Sequence, residues 1–212
     1  DLREADRRKD EFLATLAHEL RNPLAPIRNA VHLLKLGGAQ EPRLAWARDV
    51  IDRQVAHMAR LLDDLLDVSR ITRGRLELRR RRVELAEVVA AAVETSRPLL
   101  DEGRHPLELD LPDGPAPLEA DPTRLAQVLA NLLNNAAKYS DPGEPVRLAA
   151  RRHGAWVELS VRDRGIGIAP EHLPRVFEMF SQAAPALERS RDGLGIGLAI
   201  GRGLVELHGG SI

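Results

Sequence analysis

The chain has 212 residues, 43% of them hydrophobic and 30% charged, enough for one large domain or for a domain joined to a smaller helical element. Acidic and basic residues nearly cancel at a formal net charge of −1, so no global field recruits nucleic acid or an anionic membrane, and any polyanion has to be bound locally. Cysteine is absent, which excludes disulfides, a thiolate nucleophile and a cysteine-rich zinc site and agrees with a reducing, cytoplasmic setting.

The amino terminus, DLREADRRKDEF, has no signal-peptide core, and no apolar run reaches the roughly 20 residues that span a bilayer. The first residue is not methionine and the last five, HGGSI, stop where a strand is expected to begin, so both ends read as cuts in a longer protein. A membrane anchor in that parent, ahead of residue 1, is compatible with this reading.

Leu13, Leu16, Leu20, Leu24, Ile27, Val31 and Leu34 recur three and four apart, the seam of a helix of coiled-coil type that Gly37 and Gly38 end. After Pro42 the series Leu44, Ala47, Ile51, Val55, Met58, Leu62, Leu65 and Val68 keeps that spacing, so two long helices form an antiparallel hairpin. Two helices make a thin core, and so strong a stripe calls for a second copy and a four-helix bundle about a two-fold axis. Residues 1–73 are therefore expected to form a dimerising hairpin, and 74–212 a second domain.

In that second domain LELRRRRVEL reads as a strand, with its arginine run on an exposed face rather than as a nucleic-acid patch. A helix over about 84 to 103 follows, then strands near 106–111 and 117–120, and a helix opened by Asp121 as N-cap with Pro122 at its first position. Strands near 145–152 and 155–162 form a hairpin, with Val157, Leu159 and Val161 on its buried face. A glycine-rich loop, a short helix, a polar loop from about 181 to 192 and a helix from about 195 to 208 complete the chain. Strands and helices that do not alternate strictly indicate an α+β sandwich rather than a doubly wound sheet.

Four clusters can carry chemistry. His18 points away from the leucine seam and is expected to be exposed; Glu19 is adjacent, Asn22 lies one turn on, and Pro23 and Pro26 loosen the helix beside it. A solvated histidine is the plain alternative, but a neutral imidazole is a competent nucleophile and a neighbouring carboxylate can orient it. Gln127, Asn131, Asn135 and Lys138 form a polar stripe opposite Leu125, Val128, Leu129, Leu132, Leu133 and Ala136, either a solvated face or one whose amide oxygens suit Mg²⁺ and whose lysine suits phosphate.

Asp163-Arg164-Gly165-Ile166-Gly167 places a carboxylate at a strand end and then a turn open to a ligand. Gly193-Leu194-Gly195-Ile196-Gly197-Leu198 leads into the last helix, whose N-terminal amides favour phosphate. Ile200 stands where a dinucleotide fingerprint needs its third glycine, and neither a GxxxxGK[ST] loop nor an HRD/DFG set is present.

Taken in order, FLATLAHELRNPLAPI resembles the H box of two-component sensor histidine kinases, QVLANLLNNAAKYS the N box, DRGIGI the G1 box, VFEMF the F box and GLGIGLAI the G2 box. The match runs from Phe12 to Ile212 and is especially close to bacterial hybrid kinases. The resemblance implies a helical hairpin followed by an α/β sandwich of Bergerat (GHKL) type that binds ATP and Mg²⁺. It implies autophosphorylation of His18, aided by Glu19 and Asn22, then transfer to an aspartate of a response-regulator receiver domain and phosphatase activity toward that partner.

By the same resemblance Asn135 would ligate Mg²⁺, Asn131 and Lys138 would contact phosphates, Tyr139 would border the nucleotide and Asp163 would bind the adenine amino group. Gly165, Gly167, Gly193, Gly195, Gly197 and Leu198 would admit ligand to the backbone. The segment before the last glycines would be a mobile lid, with Arg189 and Arg191 near the γ-phosphate and Phe177 and Phe180 as anchors. Asp192 replaces a glycine common in the family. His32, His57, His105, His153, His172 and His208 match no functional position and read as surface or packing residues. The family's domain continues past HGGSI, so a carboxyl-terminal strand pair is expected beyond it.

Overall fold

A computed structural model describes residues 16, 20, 22–32, 34, 41–179 and 195–212. Helix α1 covers residues 22–32 and α2 covers Glu41–Thr72. Then follow β1 (Arg81–Glu84), α3 (Leu85–Glu102), β2 (Leu107–Asp110), β3 (Pro117–Ala120), α4 (Pro122–Tyr139), β4 (Val146–His153), β5 (Trp156–Arg162), a 3₁₀ turn at Leu173–Arg175 and α5 (Gly197–Leu207). The hairpin and the mixed α+β domain expected from the sequence are both present.

The α2 stripe divides between two environments. Ala47 and Val50 meet Ala30 of α1, and Leu61 and Val68 are also buried, whereas Leu44, Val55 and Leu62 stay exposed. One partner helix covers only one flank of a seam, so among the described residues the other flank of α2 is apolar and uncovered. Pro23 is fully buried in α1, while Asn22 beside it is exposed.

Only Arg81–Glu84 of the LELRRRRVEL segment is strand, paired antiparallel with β3. The segment before it is held by other bonds: the Arg79 amide donates to Asp121 Oδ2 at 2.9 Å, and Arg80 Nη2 donates to the carbonyl of Leu207 at the end of α5. The arginine run is thus partly structural. A second sheet has the order β2-β4-β5, with β2 parallel and β5 antiparallel to β4. Val146, Leu148 and Ala150 of β4 face the core, joined by half-buried Val157, Leu159 and Val161 of β5. Helices α3 and α4 close that face through Val88, Val89, Ala92, Leu129, Leu133 and Ala136.

Helix α4 begins as its sequence indicates. Asp121 caps it by accepting the Arg124 amide at 3.2 Å, and Pro122 occupies the first turn. Helix α5 is anchored by Ile196, Ile200 and Leu204, which form a second core with Val128 of α4, Leu61 and Val68 of α2, Leu76 of the linker and Leu16. The hairpin and the α+β domain therefore share apolar packing.

Candidate functional site

On α4, Asn131, Asn135, Lys138 and Tyr139 are half-buried on the side away from Leu129, Leu133 and Ala136. Asn131 Nδ2 donates to the carbonyl of Gly197 at 3.2 Å, which joins this polar face to the first residue of α5. A Cβ on Gly197 would stand 3.7 Å from the Asn131 amide. Lys138 Nζ lies 5.3 Å from the centre of the Tyr139 ring, an attraction between the cation and the ring face.

The Asp163–Gly167 turn meets the same helix end. Asp163 Oδ1 accepts the Gly165 amide at 2.8 Å, which fixes an exposed carboxylate at the end of β5. The Ile166 amide donates to the Tyr139 carbonyl at 3.2 Å. A Cβ on Gly165 would overlap that carbonyl and stand 2.9 Å from Asp163 Oδ1, so glycine is required by close approach. Gly167 is required by conformation instead, at φ 68° with nothing near its Cβ position.

Gly195 has φ 64° and turns the chain into α5. Ile196, the N-cap, offers no side-chain acceptor, so the first amides of α5, at Gly197, Leu198 and Ala199, have no intrahelical partner. A helix start of this kind suits an anion. Three segments thus converge on one face of α4: its own residues 131–139, the turn 163–167 and the start of α5.

His18, Glu19, Phe180, Arg189, Arg191, Asp192 and Gly193 lie outside the described residues, as does the turn at Gly37 and Gly38. Leu16 is described and packs on the core shared by α2 and α5. Among the described residues no group of three or more His, Cys, Asp or Glu side chains could hold a metal, and no helix is long and apolar enough to cross a membrane. Asn135 offers one neutral amide oxygen. That donor fits Mg²⁺ carried in with phosphate oxygens and waters, and not a metal held by protein alone.

The structure corrects one member of the polar stripe and places the histidines. Gln127 does not join the ligand face: its Nε2 donates to Asp67 Oδ2 of α2 at 3.0 Å, and its Oε1 accepts from Arg124 Nη1 at 2.8 Å. Asn134 Oδ1 and Ser140 Oγ are buried without a protein partner at the end of α4. His105 and His208 are packing residues with specific bonds, His208 taking the Asp121 amide on Nε2 at 3.0 Å with Nδ1 2.7 Å from the Leu204 carbonyl. His153 is exposed and faces Glu158.

Charged groups are tuned by these contacts. Burial tends to raise the pKa of Asp121, but the amides of Arg79, Arg124 and Thr123 and the Arg124 charge outweigh it and hold the carboxyl below its usual range. Asp64 on α2 is pushed up to about 6, first by burial and then by Asp67 and Asp63, with Arg60 opposing. Arg151 and Arg147 hold the exposed Asp110 at about 2.

Two family models match the chain: the His Kinase A (phospho-acceptor) domain over residues 8–74, and the histidine kinase-, DNA gyrase B- and HSP90-like ATPase over residues 120–212. The chain is 35% identical over 203 residues to the histidine protein kinase DivJ of Caulobacter vibrioides, covering 95% of this chain and 34% of that protein. It thus spans less than half of that curated relative. A full-length ShkA structure in complex with AMPPNP superposes at TM-score 0.64 with 30% identity, covering 93% of this chain and 41% of that one. The mycobacterial sensor histidine kinase MprB gives TM-score 0.54 with 31% identity, covering 61% of this chain and 82% of that one.

Proposed function

The chain belongs to the two-component sensor histidine kinases, and on that premise we propose that it phosphorylates its own His18 from ATP and passes the phosphoryl group to an aspartate on a response-regulator receiver domain. The observation that carries the reading is the convergence of the α4 amides, the Asp163–Gly167 turn and the start of α5 on one face. Glycines there open the backbone to a ligand, and a helix start favours its phosphates. AMPPNP bound to the similar ShkA supports a nucleotide as that ligand.

In this reading Asp163 binds the adenine amino group, Tyr139 borders the base, and Asn131 and Lys138 meet phosphates. Asn135 ligates Mg²⁺, which neutralises phosphate charge. Gly165, Gly167, Gly193, Gly195, Gly197 and Leu198 form the backbone wall. The imidazole of His18 attacks the γ-phosphorus in line while ADP leaves, with Glu19 and Asn22 orienting the ring and assisting phosphatase activity. Positioning and charge neutralisation supply most of the rate.

The reading divides the chain into a dimerising hairpin, 1–73, and an ATP-binding domain, 74–212. It pairs two copies through α2 and places the domains in the cytoplasm. Incubation with γ-labelled ATP and Mg²⁺ tests it. The expected product is acid-labile, alkali-stable label that His18→Gln abolishes and His57→Gln retains; label persisting in His18→Gln refutes the assignment.

A further inference from the structure

We propose that His105 is a positioning residue for the nucleotide, clamping the end of α4 that carries Lys138 and Tyr139; this rests on the ATP-site reading above. His105 stands in the short link between α3 and β2 and is buried. Its Nε2 is 3.1 Å from the Ala137 carbonyl of α4, and its Nδ1 is 2.8 Å from the Glu144 carbonyl just before β4. Its own amide donates to the Leu100 carbonyl of α3 at 2.8 Å. Through its ring and its own amide, the residue therefore joins the ends of two helices and the approach to a strand.

The final carbonyls of a helix have no intrahelical partner. In α4 the Ala136 carbonyl takes the Ser140 amide at 3.2 Å, Ala137 faces the His105 ring, and Tyr139 takes the Ile166 amide at 3.2 Å. Lys138 and Tyr139 thus sit between two anchors, the histidine and the turn that presents Asp163. A neutral imidazole donates to one of these two carbonyls at a time; without the ring neither the Ala137 nor the Glu144 carbonyl has a donor at this buried place, and the last turn shifts to find one.

The surroundings leave the ring little freedom. A Cβ on Gly103 would overlap it, and the Gly103 carbonyl takes the Gly143 amide at 2.9 Å, closing the pocket on the loop side. The Val146 amide donates to the Pro106 carbonyl at 2.9 Å, so the residue after the histidine starts the β2–β4 pairing. The glycine, the histidine and the end of α4 form one packed unit.

The test measures KM for ATP and kcat in His18 labelling, together with the Kd of a fluorescent ATP analogue, on the full chain with Mg²⁺. His105→Leu removes both polar contacts, His105→Gln restores one donor, and Gly103→Ala displaces the ring with the histidine retained. A misplaced binding group should raise KM and Kd about tenfold in His105→Leu and Gly103→Ala, with kcat at saturating ATP within about twofold and recovery toward wild type in His105→Gln.

His153→Leu, at an exposed site, serves as the control. Variants that lose kcat in proportion to their folded fraction, with KM and Kd unchanged, overturn the positioning role and leave His105 a stability residue. Should His105→Leu fail to fold, Gly103→Ala and His105→Gln decide by the same measurements. Wild-type chain that binds no nucleotide overturns the ATP-site reading and this role with it.

Discussion

Asp67 of α2 and Arg124 of α4 form an ion pair at 2.5 Å in which the carboxylate is only 6% exposed and the guanidinium 24%. Gln127 bridges both partners, so the hairpin and the ATP-binding domain are joined by a polar contact as well as by the apolar core around Leu61 and Ile200. Removing one partner strands a buried charge, whereas removing both does not. Arg124→Met is expected to lower stability by about 3 kcal/mol, and Asp67→Leu with Arg124→Met to recover most of that loss. Chemical denaturation of the two single variants and the double variant checks this, and strictly additive costs refute the coupling.

Gly165 and Gly167 share a turn but are glycines for different reasons, and their alanine variants should differ accordingly. A Cβ at Gly165 overlaps the Tyr139 carbonyl, so the turn has to move and the Ile166 bond is lost. Gly165→Ala should weaken nucleotide binding at least about tenfold, because the Asp163 carboxylate moves with the turn. At Gly167 the added methyl meets open space, and a left-handed backbone costs about 1 kcal/mol. Gly167→Ala should therefore lower the unfolding midpoint slightly, leave the turn and the Asp163 carboxylate in place, and lose less affinity than Gly165→Ala. Titration of both with a fluorescent ATP analogue separates the cases; equal losses contradict the distinction.

Much of the ATP-binding domain was legible in the sequence because its signals are local. Asp121-Pro122 marks the start of α4 and the Val157, Leu159, Val161 alternation marks β5, and both are found there. Contacts distant in sequence were not legible. Nothing within the α4 pattern separates Gln127 from Asn131, and Asp67 of α2 draws Gln127 away from the ligand face. His105 has no motif around it, and its bonds to Ala137 and Glu144 arise from packing between elements. LELRRRRVEL suggested a longer strand because its arginines reveal neither the carbonyl that Arg80 reaches nor the carboxylate that binds the Arg79 amide.

Stability should depend on pH through Asp64. Its folded-state pKa, about 6, lies above the ordinary 3.8 because the carboxylate is buried beside Asp67 and Asp63. Between those values the folded chain holds a proton that the unfolded chain has released, so stability falls as pH rises through this window. After allowance for solvent screening of a partly exposed group, the loss should be roughly 1 kcal/mol. Asp110 and Asp121 act in the opposite sense at lower pH: their depressed values contribute stability above the usual carboxylate range that is lost on acidification. Asp64→Asn should flatten the profile between pH 4 and 6 and stabilise the chain above it. Thermal melts across that range check this, and a variant that melts in parallel with wild type contradicts it.

The uncovered flank of α2 bears on assembly. Val55 and Leu62 are 52% and 47% exposed, seven residues apart on one helix face, with Leu44 and Leu66 exposed as well. A row of this length left in water is unfavourable, and covering it with the same row of a second copy buries both at once. Each fully covered side chain contributes about 1.5 to 3 kcal/mol, so two charges in the row should be enough to separate the copies. Val55→Glu with Leu62→Glu is expected to convert a dimer to a monomer in sedimentation equilibrium. Nucleotide binding should persist, since the site lies on the face of α4 joined to Gly197 and Ile166. A wild-type chain that sediments as a monomer at high concentration refutes the pairing, and a variant that remains dimeric places the contact on another face.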